Sequence, residues 1–521
     1  MLLLEANELK IYIKDRLIAD IAHLAIHKNE RIGLVGRNGS GKTTLLEVLS
    51  NQRVPDEGNV VRHSVTELLP QLKHTDQYIS GGELTQEYIK GAIARSPEIL
   101  LADEPTTNLD TSHIEWMEKI MKGWQGAYVL VSHDRAFLDA VCTKIWEIEE
   151  GKLKEYSGNY SDYKAKKDQE AREQQLAYEN YERKKAQLEN ALELKVKKAE
   201  RATKKPKNVS ASEASITGAK PYFAKKEKKL QKTAKSIETR LEKLEKVEKA
   251  KELPSIKMDL PNERTFKNRV IMRMTDLPGI IQERVLWKPA TLHIKGGEKV
   301  AIVGPNGSGK TTLLKKIIRQ DDGISISPAV KIGYFSQNID ILDKNKTILE
   351  NVTSTSKQDE TFIRTILARL RFLRKDVYKP VNVLSGGERV KVALAKLFVS
   401  DINTLILDEP TNFLDIEAVE ALEELLIEYE GTIIFVSHDR RFIEKIANRL
   451  VIFEDGELTL FEGSYHDYLN YEPAPERDTK EDQLLIIETK ITEVLSRLSI
   501  APSEALEKEF QALLKRKREL Q

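Results

Sequence analysis

The sequence predicts an α/β protein in which one sheet-containing module occurs twice, the copies joined by a long antiparallel α-helical coiled-coil linker and followed by a C-terminal helical hairpin. Three observations carry this prediction. Four landmarks recur in the same order: GLVGRNGSGKTTLL around Lys42 returns as AIVGPNGSGKTTLL around Lys310, SGGE at Ser80 returns at Ser385, LLADEPTTNLD returns as LILDEPTNFLD, and VSHDRAF returns as VSHDRRF. Within each copy, apolar runs of strand length alternate with helical patterns, which argues for a mainly parallel sheet covered by helices. Between the copies, residues 162–202 contain neither glycine nor proline and are rich in helix formers.

A chain of 521 residues with 40% hydrophobic and 32% charged residues has material for more than one buried core, which argues against wholesale disorder. The single cysteine, Cys142, excludes an internal disulfide framework and any thiolate-cluster metal site within the chain, and suits a reducing cytoplasm. The start MLLLEANELKIYIKDR reads as a strand rather than a secretory signal. Runs such as TLIL and TIIFV are far short of the roughly 20 apolar residues that span a bilayer, so a cytoplasmic protein without a membrane segment is expected. The net charge of +1 hides an uneven distribution. Residues 161–260 hold 27 Lys+Arg against 17 Asp+Glu, and the surplus sits in residues 191–240, with 15 basic and 5 acidic residues.

The offset between copies is 268 at the lysines (310 − 42) but 305 at the serines (385 − 80). Gln71 and Gln337 differ by 266, so about 39 additional residues lie between glutamine and SGGE in the second copy only. The expected organisation is a first module over 1–160 lacking most of a helical subdomain, a helical linker over 161–265 with a tip loop near 204–226, a second module over 266–471, and the hairpin over 472–521.

In G-x-x-x-x-G-K-T, glycines let backbone N–H groups close around phosphates at a helix N-terminus, lysine reaches the β- and γ-phosphates, and threonine ligates magnesium. Gly36, Asn38, Gly39, Gly41, Lys42, Thr43 and Thr44 build one such loop. Gly304, Asn306, Gly307, Gly309, Lys310, Thr311 and Thr312 build the other. A lone match could be an incidental glycine turn; two, each between an apolar strand and a helical run, argue against that. The acid pairs Asp103–Glu104 and Asp408–Glu409 follow apolar strands, at the sheet end where open α/β folds bind ligands. There the aspartate suits magnesium and the glutamate suits polarising an attacking water.

Together these motifs resemble the ATP-binding cassette superfamily. The resemblance implies ATP and Mg2+ as cofactors, with Thr43, Gln71, Asp103, Thr311, Gln337 and Asp408 around the metal and Glu104, Glu409, His133 and His438 acting in hydrolysis. Asp110 and Asp415 would communicate across the paired modules. It further implies two ATP sites in one monomer: Lys42, Asp103 and Glu104 facing Ser385 and Gly387, and Lys310, Asp408 and Glu409 facing Ser80 and Gly82. Tyr12 stands where the superfamily often has an aromatic platform for adenine; the equivalent by offset is Ile280, so either Arg284 or nothing stacks there.

In the linker, Tyr181, Leu188, Leu192 and Ala199 mark one stripe, and Leu230, Ala234, Ile237, Leu241 and Leu244 follow spacings of 4, 3, 4 and 3. Two such helices joined by a loop pack antiparallel and project on the order of 60 Å. A solvated spacer is the bland reading; basic charge towards the tip and Pro206, Gly218, Pro221, Tyr222 and Phe223 within it favour RNA, since basic arms follow phosphates and aromatic residues stack on unpaired bases. Tandem cassettes with a long helical linker and no membrane domain look like the ABC-F translation-factor family. That likeness implies a 70S-type ribosome as partner, with the arm in the E site reaching ribosomal RNA and P-site tRNA. RATKKPKN, GAKPYFA, IRTILAR, VYKP and VLSGGERVKVAL further resemble the Vga-type antibiotic-resistance proteins. Protection of the peptidyl-transferase centre against lincosamides, pleuromutilins and streptogramin A compounds is then expected, with Ser215, Ile216, Thr217, Lys220, Tyr222 and Phe223 as tip residues.

After YEPAPERD, Leu484, Ile487, Ile491, Val494 and Leu498 form a stripe, SIAPSE breaks it, and Leu506, Phe510 and Leu513 begin another, with Ser503 as N-cap. This hairpin either packs on the second module or adds a ribosome contact. Two other functions fit parts of the pattern: a housekeeping translation factor without drug protection, and the ATPase half of a membrane transporter. The long arm and the reduced first copy argue against the transporter.

Overall fold

The computed structural model describes residues 1–71, 81–107, 109–203, 219–247, 267–281, 284–336, 341–373, 375–471, 487, 490, 491, 494 and 504–520. They form two units, Met1–Glu462 and Gly463–Gln521. Ser80, Gln337, the tip residues Ser215, Ile216 and Thr217, and Leu484, Leu498 and Ser503 of the tail lie outside the described residues.

The first cassette contains β1 (Leu2–Ile13), β2 (Arg16–His27), β3 (Arg31–Gly36), α1 (Lys42–Leu49), β4 (Glu57–Arg62), β5 (Thr66–Leu69), α2 (Gly81–Ala94), β6 (Ile99–Asp103), α3 (Thr111–Gly123), β7 (Ala127–Val131), α4 (Arg135–Val141), β8 (Lys144–Glu149) and β9 (Lys152–Ser157). A three-stranded antiparallel sheet, β2-β1-β4, packs on a six-stranded sheet ordered β5-β6-β7-β3-β8-β9. The apolar runs of β6 and β7 are buried at every position because helices or the small sheet cover both faces. Parallel registers Leu34↔Val131 and Asp103↔Val131 bring the C-terminal ends of β3, β6 and β7 level, which places the three loops that follow them side by side.

The arm follows as α5 (Tyr160–Thr203) and α6 (Ala219–Glu242). At 44 residues, α5 is about 65 Å long. The apolar stripes read from spacing form its seam: Leu188, Leu192, Leu230, Ile237 and Leu241 are half-buried and Ala199 is buried, while their neighbours are largely exposed. The expected loop is shorter at its far end. α6 starts at Ala219, so Lys220, Tyr222 and Phe223 belong to a helix rather than to a loop. Pro221 does not prevent this, because first-turn N–H groups have no intrahelical acceptor and a missing one costs nothing there.

The second cassette repeats the plan with β10 (Val270–Ile281), β11 (Arg284–Lys295), β12 (Lys299–Val303), α7 (Lys310–Arg319), β13 (Ile324–Ile326), β14 (Ile332–Phe335), α8 (Ile348–Thr353), α9 (Glu360–Arg369), α10 (Gly386–Phe398), β15 (Thr404–Asp408), α11 (Ile416–Glu428), β16 (Thr432–Val436), α12 (Arg440–Ile446), β17 (Arg449–Glu454) and β18 (Glu457–Glu462). Its sheets are β11-β10-β13 and β14-β15-β16-β12-β17-β18. The additional residues of this copy supply α8, α9 and two 3-10 turns, with Thr347 and Glu350 closing a capping box at α8.

In the smaller unit, α13 (Tyr465–Leu469) is capped by Ser464 and α14 (Glu504–Leu520) carries the second stripe of the tail. Ile487 and Val494 of the first stripe are buried. Among the described residues, no helix is long and apolar enough to cross a membrane.

Candidate functional site

Each phosphate-type loop ends on a glycine in the left-handed region, Gly41 at φ 94° and Gly309 at φ 106°, acting as N-cap of α1 and α7. Only glycine enters that region without strain, and it turns the following N–H groups into the loop. Lys42 and Lys310 start these helices and are buried. Their ammonium groups donate to the loop carbonyls of Gly36 at 2.7 Å and Gly304 at 2.9 Å. Desolvation lowers both lysines below their ordinary value, opposed by the neighbouring carboxylates. Gly39 and Gly307 leave open space where a Cβ would stand. Thr44 and Thr312 lie one residue beyond the threonines Thr43 and Thr311.

The acid pairs face these loops. Thr311 donates to Asp408 at 3.1 Å, and the Thr43 hydroxyl lies near enough to Asp103 to work against the upward shift of its carboxyl. Burial raises both aspartates. Asp103 Oδ2 is buried with no protein partner. A hydroxyl beside a half-satisfied carboxylate fits a small divalent cation that takes its other oxygens from phosphate and water. Among the described residues, no group of three or more His, Cys, Asp or Glu side chains could hold a metal by itself. Gln71 is exposed, two residues beyond the end of β5.

Glu104 and Glu409 adopt left-handed backbone, φ 52° and φ 51°, a strained conformation for a side chain of this size. It is held by N–H bonds from Glu104 to Val131 and from Glu409 to Val436 on the adjacent strands. His133 Nε2 stands 3.3 Å from Glu104 Oε1, and His438 Nε2 stands 3.3 Å from Glu409 Oε1. Burial pushes both glutamates up to about 7, with Lys42 and Lys310 working in the opposite direction. Burial, then the nearby lysines, push both histidines down to about 3. Each site thus pairs a neutral imidazole with a carboxyl poised near neutrality, the range suited to proton transfer.

The cassettes meet head to tail through these loops. Asn38 donates its backbone N–H to Asp415 and Asn306 donates its own to Asp110, each at 3.0 Å. Asn38 Nδ2 also reaches the Phe413 carbonyl at 3.0 Å. A Cβ on Gly387 would meet that carbonyl at 2.5 Å and Asn38 at 3.1 Å, so the signature glycine lies against the first cassette's loop. Ser385 N-caps α10 in a capping box with Glu388, its hydroxyl 2.8 Å from the carboxylate. On the other side Gly82 sits in the first turn of α2. A cavity of about 510 Å3 runs along the interface, lined by Lys310, Glu409 and His438 and by Glu104, His133 and Leu109.

The two aspartates at the interface are held differently. Burial opposes ionisation of Asp110, yet the N–H groups of Asn306 and His113 and the side chains of Ser112 and His113 bring it down to about 2. Burial likewise opposes ionisation of Asp415, which is lowered first by Lys391, 3.7 Å away on α10. The position matching Lys391 in the first copy is Gln86, and that matching His113 in the second is Ala418. The hairpin registers Tyr12↔Leu17 and Ile280↔Val285 confirm the offset, but the cavity at the second site is lined by Ile281 and Leu286 rather than by Ile280 or Arg284. Alternation along β10 explains it, since Ile280 and Ile281 point to opposite faces.

With this geometry in view, comparison with known proteins is decisive. The ABC transporter family model matches residues 19–77 and 287–412. The chain is 33% identical to ribosome protection protein VmlR of Bacillus subtilis, over 98% of this chain and 96% of that protein. This chain belongs to the ABC-F family. It is 34% identical to erythromycin resistance ATP-binding protein MsrA of Staphylococcus epidermidis, covering 85% of this chain and 96% of that one. It is 30% identical to ATP-binding protein Uup of Escherichia coli, over 87% and 80%. In fold, it is similar to the solved structure of RNase-L Inhibitor, with TM-score 0.58 and 19% identity over 89% of this chain and 92% of that one. As an ABC-F ATPase the chain binds and hydrolyses ATP.

Sequence reasoning missed two groups of residues. Lys391 and His113 carry no motif of their own, although the mismatch of each with its counterpart in the other copy was available as a signal. Arg135, Glu423, Glu420 and Arg441 meet across the cassettes from positions more than 250 residues apart, which no local pattern reports.

Proposed function

We propose that this ABC-F ATPase binds a 70S-type ribosome, places its arm in the E site towards ribosomal RNA and P-site tRNA, and protects the peptidyl-transferase centre from lincosamides, pleuromutilins and streptogramin A compounds. The observation that carries the reading is similarity to a ribosome protection protein over nearly the full length of both chains, arm included. The cassettes close on two ATP molecules, whose phosphate charge a bound Mg2+ would neutralise. Lys42 and Lys310 bind the phosphates, Thr43 with Asp103 and Thr311 with Asp408 would hold the cation, and Gln71 and Gln337 would sense it and the attacking water. Ser385 and Gly387, with Ser80 and Gly82 opposite, cover the nucleotides. Glu104 and Glu409 polarise the attacking water, His133 and His438 contact the γ-phosphate, and hydrolysis reopens the pair and releases the ribosome. Lys220, Tyr222, Phe223 and the segment with Ser215, Ile216 and Thr217 stand at the working end of the arm.

Purified protein with ATP restores translation by lincomycin-inhibited ribosomes under this reading; translation that stays inhibited at saturating protein refutes drug protection. Similarity to Uup supports a second reading, a translation factor without drug protection. Deleting the gene separates the two: unchanged susceptibility to all three drug classes favours the second.

A further inference from the structure

The first two turns of α5 touch both cassettes at once. Tyr163 and Lys167 form one stripe and bind the buried Glu147 of the first cassette's sheet, at 2.7 Å and 3.0 Å. Tyr160 and Lys164 form the neighbouring stripe and turn to the second cassette, where Glu420 on α11 accepts from Lys164 at 2.8 Å and from Tyr160 at 3.5 Å. Residues four apart lie on one face of a helix, so each stripe addresses a single partner. Arg441 on α12 completes the contact. Its guanidinium donates to Asp139 on α4 at 2.7 Å and to Ser161 at 3.0 Å, and lies 5.6 Å from the centroid of the Tyr160 ring. Ser161 in turn donates to Asp139, tying the start of α5 to α4. Tyr160 is 2% exposed, so this is a packed joint rather than a loose surface pair.

Two facts connect the joint to the ATP sites. Arg441 lies in the first turn of α12, three residues after His438. Beside it, Arg135 on α4 donates to Glu423 of α11 at 3.1 Å and stands 3.4 Å from Asp439. The duplicated sequence repeats only part of the joint, since Tyr160 has its counterpart in Tyr465 and Glu420 in Glu115. Arg135–Glu423 has its twin in Arg440–Glu118, at 2.9 Å. By the same offset of 305, however, Arg441 corresponds to Ala136 and Lys164 to Leu469.

We propose that Arg441 and Glu420 are positioning residues that form a seat on the second cassette for the base of the arm, so that closure of the cassettes fixes the direction in which the arm points. The proposal rests on ATP-driven closure as described above, but needs no ribosome. The first stripe keeps α5 on its own cassette in every state; the second can engage only when the other cassette is brought up against it.

Spin-label distances test this in the full chain carrying Glu104→Gln and Glu409→Gln, since Cys142 is buried and does not compete for the label. Labels at Asp15 and Lys344 report closure; labels at Asp15 and Gln187 report the arm. In the parent, ATP narrows both distributions. With Arg441→Ala and Glu420→Ala, ATP still narrows the first, but the arm distribution stays as broad as without nucleotide. An arm distribution that narrows as in the parent overturns the seat. Should that variant fail to close, the exchanged pair Lys164→Glu with Glu420→Lys decides: recovery of both narrowings supports the seat, and failure to recover overturns it. A parent that does not close with ATP refutes the switch itself and the seat with it.

Discussion

Glu104 and Glu409 lose their hydration on folding, which disfavours the ionised carboxylate, so the folded protein binds their protons more tightly than the unfolded chain does. Each moves from an ordinary value of 4.5 to about 7. Between those values the native state holds the additional proton, so stability falls as pH rises through the window, whereas below about 4.5 the full contribution is present. Replacing both glutamates by glutamine removes a penalty on the order of 3 kcal/mol per site at pH 8 and under about 1 kcal/mol at pH 5. Melting curves at the two pH values should show the variant gaining most at pH 8, and an equal gain at both contradicts the burial argument. Lys391 supports a second prediction at this scale. It holds Asp415, which binds the backbone of Asn38, so it serves the site built on Lys42. In a Glu409→Gln background, where only that site turns over, Lys391→Gln should lower kcat about tenfold, or ~1.4 kcal/mol of transition-state stabilisation. In a Glu104→Gln background the same change should have little effect, and equal losses in both would remove the assignment to one site.

Among the elements, the arm shows how far sequence pattern reaches. The 4-3-4-3 spacing of α6 identified its seam residue by residue, because the same periodicity that marks a stripe in the sequence decides which side chains a partner helix covers. The start of α6 was harder to read. Pro221, Tyr222 and Phe223 carry loop composition, but the first turn of a helix tolerates proline, and composition does not separate a loop from a first turn. Because the seam is only half-buried, the arm depends on few apolar contacts. Ile237→Asp with Leu241→Asp should therefore raise amide hydrogen exchange throughout α6 and the facing part of α5, while basal ATP hydrolysis stays within about twofold of the parent. Protection that survives in α6 would show that the arm does not rely on this seam.

For the whole molecule, the landmarks legible in sequence are those that each cassette carries locally: the glycine loop, the acid pair at a strand end, the SGGE signature and the switch histidine. What the copies build together was legible only through the family resemblance, which set Asp110 and Asp415 across the pair without naming their contacts. Asp415 on Asn38, Arg135 on Glu423 and Arg441 on Asp139 each join residues about 290 to 380 positions apart, and their meaning depends on how two sheets face each other. The duplication still left a trace, since positions that break the repeat, Lys391 against Gln86 and Arg441 against Ala136, are those where the two halves have taken different tasks. The central claim is that ATP-closed cassettes hold the arm on the ribosome until hydrolysis opens them. Its most direct test is co-sedimentation of the Glu104→Gln, Glu409→Gln protein with 70S ribosomes in the presence and absence of ATP. The account predicts near-stoichiometric retention with ATP, little without it, and only transient retention of the parent; a variant that stays in the supernatant with ATP, or pellets equally without it, contradicts the account.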